Sequence, residues 1–167
     1  SQLYECGIND SDIKLVVDQF RTDLSGSSSL FLLRDDDKSD GIKLFSSGLT
    51  EAQQQFYVQH HRQDVWFNHY LDKGCQGIVS ANTISSSVGL LASFGAQFAA
   101  GGVCRVKGRG LSTLCSYRGA AQDDFSSRDL TSLTEIYSGL AAWSQHYWNL
   151  LALETQNYQL RQLVKNH

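Results

Sequence analysis

The chain contains no proline and no methionine in its 167 residues. Without proline, no helix is broken by a missing backbone donor, so helix ends must be written in Gly, Ser, Thr and Asp. Without methionine even an initiator is missing, and a trimmed piece of something longer is expected. Apolar runs are short, and none approaches the roughly 18 residues of a membrane span. Residues 1–12 are polar and acidic and do not read as a secretion signal. Charged residues make up 19% and the formal net charge is −3. No basic patch or stripe of the kind that grips nucleic acid is present. Four cysteines, Cys6, Cys75, Cys104 and Cys115, form no CxxC pair and no metal-ligand spacing. There is no Gly-x-Ser-x-Gly elbow, no His-Glu-x-x-His and no phosphate loop. A Cys–His pair that meets only in space would leave no such trace. Catalysis is not expected, and no cofactor or metal is implied.

What is present begins with a long C-terminal helix. Ser126 can cap its start, with Asp129 three residues on to complete a capping box. From there no stop signal appears for roughly forty residues, far beyond the three turns of an average helix. Leu130, Leu133, Tyr137, Leu140, Ser144, Tyr147 and Leu151 step by three and four and mark the face that belongs to the chain's own core. That stripe fails at Glu154. A second stripe, about 100° round the helix, runs through Ile136, Trp143, Leu150, Leu153, Asn157, Leu160 and Val164. Its last part follows a heptad, with Leu150, Asn157 and Val164 at a and Leu153 and Leu160 at d. A single Asn at an a position fixes register in two-stranded coils. A parallel helix-pair homodimer is expected through this second stripe. The plainer alternative is a terminal helix docked on its own domain with Asn157 wetted.

Taken in order, Asn9 and Asp12 open a helix striped by Ile13, Val16, Val17, Phe20 and Leu24, which Ser25-Gly26-Ser27 stops. Residues 29–34 and 42–46 read as a β-hairpin around the polar loop 35–41. That loop superficially suggests calcium, but Lys38 and Ser47 fall on ligand places, so it reads as a solvated turn. Thr50 and Gln53 form a second capping box for a helix to about His61. Asp64 then caps a short helix, Val65 to Lys73, ended by Gly74. Residues 77–80 read as a short strand. Ile84, Val88, Leu91, Gly95 and Phe98 stripe a further helix, expected to end at Gly101-Gly102. Residues 103–107 and 111–118 form a second hairpin about Gly108-Arg109-Gly110. Across it Cys104 and Cys115 would face each other, which makes a bridge conceivable, although reduced thiols suit a cytoplasmic chain better. The result is an α+β fold: a central antiparallel sheet with flanking helices and a long C-terminal helix. The expected organisation is a domain over 1–150 and a helical extension over 151–167.

This order of elements resembles the GAF/PAS-like sensor group. Three segments are similar to the N-terminal sensor domain of LuxR-type transcriptional regulators. They are Asp64-Val-Trp66 with Tyr70 and Gly74; Phe94-Gly-Ala-Gln-Phe98 leading into Leu111-Ser-Thr-Leu-Cys-Ser-Tyr-Arg118; and Phe125-Ser-x-x-Asp129-Leu130-x-x-Leu133. Together they cover residues 64 to about 150. The resemblance implies a cytoplasmic ligand-sensing domain, quorum-sensing-like or without an assigned signal, acting through an attached DNA-binding domain that these 167 residues do not contain. Two positions depart from the family pattern. Val65 stands where Pro is frequent, and Gln53 stands where lactone receptors carry Trp, so an acyl-homoserine lactone is not assigned.

Tyr57, Asp64, Trp66, Phe67 and Tyr70, joined by Phe94, mix apolar walls with directional polar groups and suit a small amphiphilic ligand. For the aromatics, plain core packing accounts for the pattern equally well, and capping alone explains Asp64. His60, His61 and His69 do not make a chelate at helical spacing and read as a solvated face. The leading expectation is a dimeric small-molecule sensor domain that touches no membrane. The alternative is a protein-interaction domain of the same fold whose pocket is filled by its own side chains.

Overall fold

The computed structural model describes residues 10–35, 42–64, 68, 77–80 and 90–166. Its elements are α1 (Asp10–Asp23), β1 (Ser28–Asp35), β2 (Ile42–Ser47), α2 (Glu51–His60), β3 (Gly77–Ser80), β4 (Phe98–Val106), β5 (Gly110–Arg118) and α3 (Ser127–Lys165). Single 3-10 turns follow α2 at His61–Gln63 and precede β4 at Leu90–Phe94. The five strands pair antiparallel throughout in the order β2-β1-β5-β4-β3. This is the expected α+β architecture. No helix among the described residues is long and apolar enough to cross a membrane.

Side chains alternate across a strand, so this sheet buries two separate cores. On one face α1 and α3 pack Ile13, Val17, Phe20, Leu24, Leu133, Leu140, Tyr147 and Trp148 against Phe31, Leu33, Val106 and Leu114. On the other face Tyr57 of α2 and Phe94 pack against Leu30, Leu32, Ala99, Val103, Leu111, Cys115 and Tyr117. Val16, which shares the α1 stripe, lies half exposed on the rim of the first core.

Helix ends follow local chemistry. Both predicted capping boxes form, Thr50 with Gln53 and Ser126 with Asp129. At the end of α1, Ser25 takes the left-handed conformation at φ +50°. The Gly26 N–H reaches Arg21 O and the Ser25 N–H reaches Thr22 O, the paired bonds of a Schellman close. A glycine would suit position 25 better, but it stands one residue later for another reason. A Cβ on Gly26 would collide with Ser116 Oγ.

Two expectations fail here. The helix drawn through Phe98 to Gly101-Gly102 gives way to strand β4 from Phe98 onward, with Gly101 paired to Cys115 and Gly102 to Leu114. Gly95, at φ +67°, breaks the three- and four-residue stripe before it reaches Phe98; residues 81–89 lie outside the described residues. The second hairpin turns one residue earlier than drawn. The Arg109 N–H donates to Val106 O, and Gly108 sits at φ +73°, the place that a type II turn reserves for Gly. Cys104 therefore pairs with Ser112 and Cys115 with Gly101. The two thiols point to opposite faces and are free. Cys104 thus sits opposite a residue three positions from Cys115, and that odd offset is what separates the two thiols.

Helix α3 spans 39 residues. Leu133, Leu140, Ser144 and Tyr147 of its first stripe are buried. So is Trp148, which neither predicted stripe contains. Its indole lies against Gly110, where a Cβ would come within 2.5 Å of the ring, and its Nε1–H donates to Ser112 Oγ at 3.1 Å. Those contacts pin the helix to the β4–β5 hairpin. Beyond it, Leu153, Tyr158, Leu160, Leu163 and Val164 are exposed.

Candidate functional site

The site lies on the sheet face covered by α2. Helix α2 is started by its capping box, in which Gln53 Oε1 accepts the Thr50 N–H and Thr50 Oγ1 accepts the Gln53 N–H; the Nε2 of the same amide donates to Ser93 O. One helical turn on, Tyr57 points down onto the sheet and is buried. The chain then leaves the helix through the 3-10 turn and places Asp64, only 2% exposed, beneath it. The Tyr57 hydroxyl donates to Asp64 Oδ2 at 2.9 Å. The Asp64 carbonyl accepts the Asn68 N–H. Its carboxylate engages Tyr57, seven residues back.

Aromatic contacts extend the cluster. The Phe94 ring lies 5.7 Å from that of Tyr57 and 5.9 Å from that of Tyr117. Burial pushes the Tyr57 hydroxyl well above its ordinary value, and the nearby Asp64 charge pushes it further. Burial likewise raises the Cys115 thiol and the Tyr117 hydroxyl, with Asp64 adding to both. In all three the shift favours the protonated form at neutral pH.

Several polar atoms on this side are buried and have no hydrogen-bond partner among the described residues: Thr113 Oγ1, Ser28 Oγ and His61 Nε2. Strand alternation places Thr113 with Leu111, Cys115 and Tyr117, and Ser28 with Leu30 and Leu32, on the α2 face. Thr113 stands between Leu32 of β1 and Val103 of β4, and one step along the same face Cys115 pairs with Gly101, which has no side chain. Buried polar groups without partners are costly and call for an explanation.

The predicted site residues are therefore distributed as follows. Tyr57, Asp64 and Phe94 meet in one cluster. Trp66, Phe67 and Tyr70 lie outside the described residues, as do His69 and the loop 36–41. His60 stacks on Phe56 at 4.3 Å, and His61 is buried with Nδ1 on Val58 O, so they diverge. Sequence reasoning did not single out Thr113 and Ser28, and it read Tyr117, like Phe94, chiefly as core filling; Tyr117 lies beside Phe94 in the cluster. Ile136 and Trp143 are half-buried and already touch their own core, Trp143 meeting Phe31 edge-on at 5.2 Å. With Ile13, Val16 and Leu140 they line an apolar groove of about 280 Å³ between α1 and α3. Leu150 is half-buried, while Leu153, Asn157, Leu160 and Val164 are exposed.

This antiparallel five-stranded sheet with flanking helices is similar in fold to solved structures of GAF domains and of LuxR-family regulators. A GAF domain from Synechocystis in its photoproduct state superposes with a TM-score of 0.59 at 16% identity, over 86% of this chain and 98% of that one. CepR2 from Burkholderia cenocepacia, an N-acylhomoserine-lactone-dependent LuxR-family transcription factor, gives 0.56 at 11% identity, over 83% and 90%. SdiA from Escherichia coli gives 0.57 at 13% identity, over 86% and 65%. SdiA in complex with octanoyl-rac-glycerol matches with a TM-score of 0.54. Identities at this level establish the fold alone. The sequence matches no protein-family model, and no curated protein matches it significantly.

Proposed function

We propose that this domain senses a small amphiphilic molecule bound between the sheet and the segment that runs from α2 to Asp64. The observation that carries the reading is the buried Tyr57–Asp64 hydrogen bond on a sheet face that also holds two buried hydroxyls without a partner among the described residues, Thr113 Oγ1 and Ser28 Oγ, with His61 Nε2 likewise unpartnered just after α2. A ligand with one or two polar groups and an apolar body would satisfy those atoms while covering Leu30, Leu32, Val103 and Leu111. Octanoyl glycerol, bound by the fold neighbour SdiA, has that chemistry. Binding is favoured over catalysis, because the buried Tyr and Cys groups are held in their neutral forms.

The same reading takes the chain to be a homodimer paired through α3 and coupled to a transcriptional output outside these residues. What supports it is the exposed apolar row Leu153, Leu160 and Val164 on a helix that has left its own core, with Asn157 among them. The groove lined by Ile136, Trp143 and Val16 continues that row toward the sheet.

The test is a thermal-melt screen against small amphiphiles, octanoyl glycerol first, on the wild type and on Thr113→Val. A compound that raises the wild-type Tm but not that of Thr113→Val supports the reading. No shift across the set would overturn it.

A further inference from the structure

Tyr117 and Arg118 are neighbours on β5 and point to opposite faces of the sheet. Tyr117 meets Phe94 on the ligand side. Arg118, 9% exposed, turns to the side of α1 and α3. Its Nη2 donates to Leu24 O at 2.6 Å, where α1 ends. Its Nη1 donates to Asp123 O and Asp124 O, both at 3.2 Å, in the loop before α3. Nη2 also lies 3.4 Å from Asp129 Oδ2, the carboxylate that closes the α3 capping box, and the guanidinium covers the Phe125 ring at 4.2 Å. One planar fork thus ties the end of α1 to the start of the long helix. A lysine cannot reproduce this, having a single point charge and no fork.

An anchor for α3 alone would need no link to the other face. Arg118 has one. Its carbonyl accepts the Gln97 N–H at 2.9 Å, which closes the turn that carries Phe94. The next residue, Gly119, lies against Gly95 O, 3.3 Å from where a Cβ would stand. Gly95 holds the left-handed φ of +67° that lets this turn reverse. The turn bearing Phe94 and the cap of α3 therefore meet at a single residue.

We propose that Arg118 is a positioning residue that couples the Phe94 side of the sheet to the first turns of α3. The proposal deepens the sensing reading and names the element through which an event beneath α2 reaches the output helix. Its geometry and its test require no ligand.

The experiment is a double-mutant cycle read by native-state hydrogen exchange at amides 129–134, on wild type, Phe94→Ala, Arg118→Gln and the combination. Amides 150–160 serve as the internal reference. Phe94→Ala alone is expected to speed exchange at 129–134 by about fivefold or more, without a matching change at the reference. In the Arg118→Gln background the same truncation is expected to add less than about twofold. Should Arg118→Gln fail to fold, Arg118→Lys enters the same cycle, keeping the charge and losing the fork, with the same expectation. Two effects that simply multiply would overturn the proposal, as would a Phe94→Ala variant that leaves amides 129–134 unchanged. A ligand screen that finds nothing would overturn the sensing reading and leave this cycle intact, so the two failures are distinguishable.

Discussion

Asp64 accepts the Tyr57 hydroxyl at 2.9 Å, and both residues are almost wholly withdrawn from water. Seven positions apart, they fold the end of α2 back on itself and hold it against the sheet. Removing the donor with Tyr57→Phe leaves a buried carboxylate short of a partner. The expected loss is about 1–3 kcal/mol in urea unfolding. Tyr57→Phe conserves the ring, so the Phe94 contact survives and the loss reports the hydrogen bond.

The tyrosine pair also sets an alkaline limit. Burial, and then the Asp64 charge, hold the Tyr57 pKa above its unfolded value near 10. A raised acid pKa gives stability that is fully present below the unfolded pKa and is lost as pH rises above it. Urea midpoints are expected to fall above about pH 10 and to fall less steeply in Tyr57→Phe.

Asp129 gives the opposite limb. Partial burial pushes its pKa up, but the Ser126 N–H and hydroxyl and the Arg118 guanidinium together hold it below the ordinary value. A lowered carboxyl pKa gives stability present above the unfolded value, near 3.9, and lost as pH falls through the folded one. Asp129→Asn is expected to flatten the acid limb of the stability profile below about pH 4, measured by urea midpoints across pH.

Gly110 and Trp148 form a steric pair, since a Cβ at 110 would lie 2.5 Å from the indole. Gly110→Ala is expected to cost about 1–3 kcal/mol by overpacking. Combined with Trp148→Leu, the extra cost of the alanine should largely vanish. Equal costs in both backgrounds would show that the indole is not what excludes a side chain.

Replacing Leu153 and Leu160 together with Lys introduces charge on residues 56% and 59% exposed, so the fold itself should be unaffected. Sedimentation equilibrium is expected to show the wild type as a dimer and the variant as a monomer with the same Tm at low concentration. A dimer in both would contradict pairing through α3.

Much of this architecture was legible because it is written locally. Thr50 with Gln53 and Ser126 with Asp129 satisfy their own helix ends, so each box is visible in four residues. The sheet and its two hairpins were legible from alternation and turn residues. What escaped depends on register and distance. The turn at Lys107–Arg109 comes earlier than its sequence placement, and the pairing of Cys104 moves by three residues, from Cys115 to Ser112, which leaves the two thiols on opposite faces. Phe98 continues a helical stripe on paper, yet Gly95 has already reversed the chain. Trp148 follows Leu140 and Ser144 at steps of four, a signal that a wider stripe would have included. At the site, Tyr57, Asp64 and Phe94 were identifiable as residue types suited to a ligand. Thr113 and Ser28 were not, because an unpartnered buried hydroxyl exists only once strands are paired.

The most direct measurement is the set of nuclear Overhauser contacts between a bound amphiphile, octanoyl glycerol first, and the domain. The account predicts contacts from the ligand to the Thr113 methyl and the Phe94 ring. Contacts confined to Val16 and Ile136 in the groove between α1 and α3 would contradict it, as would the absence of any bound state.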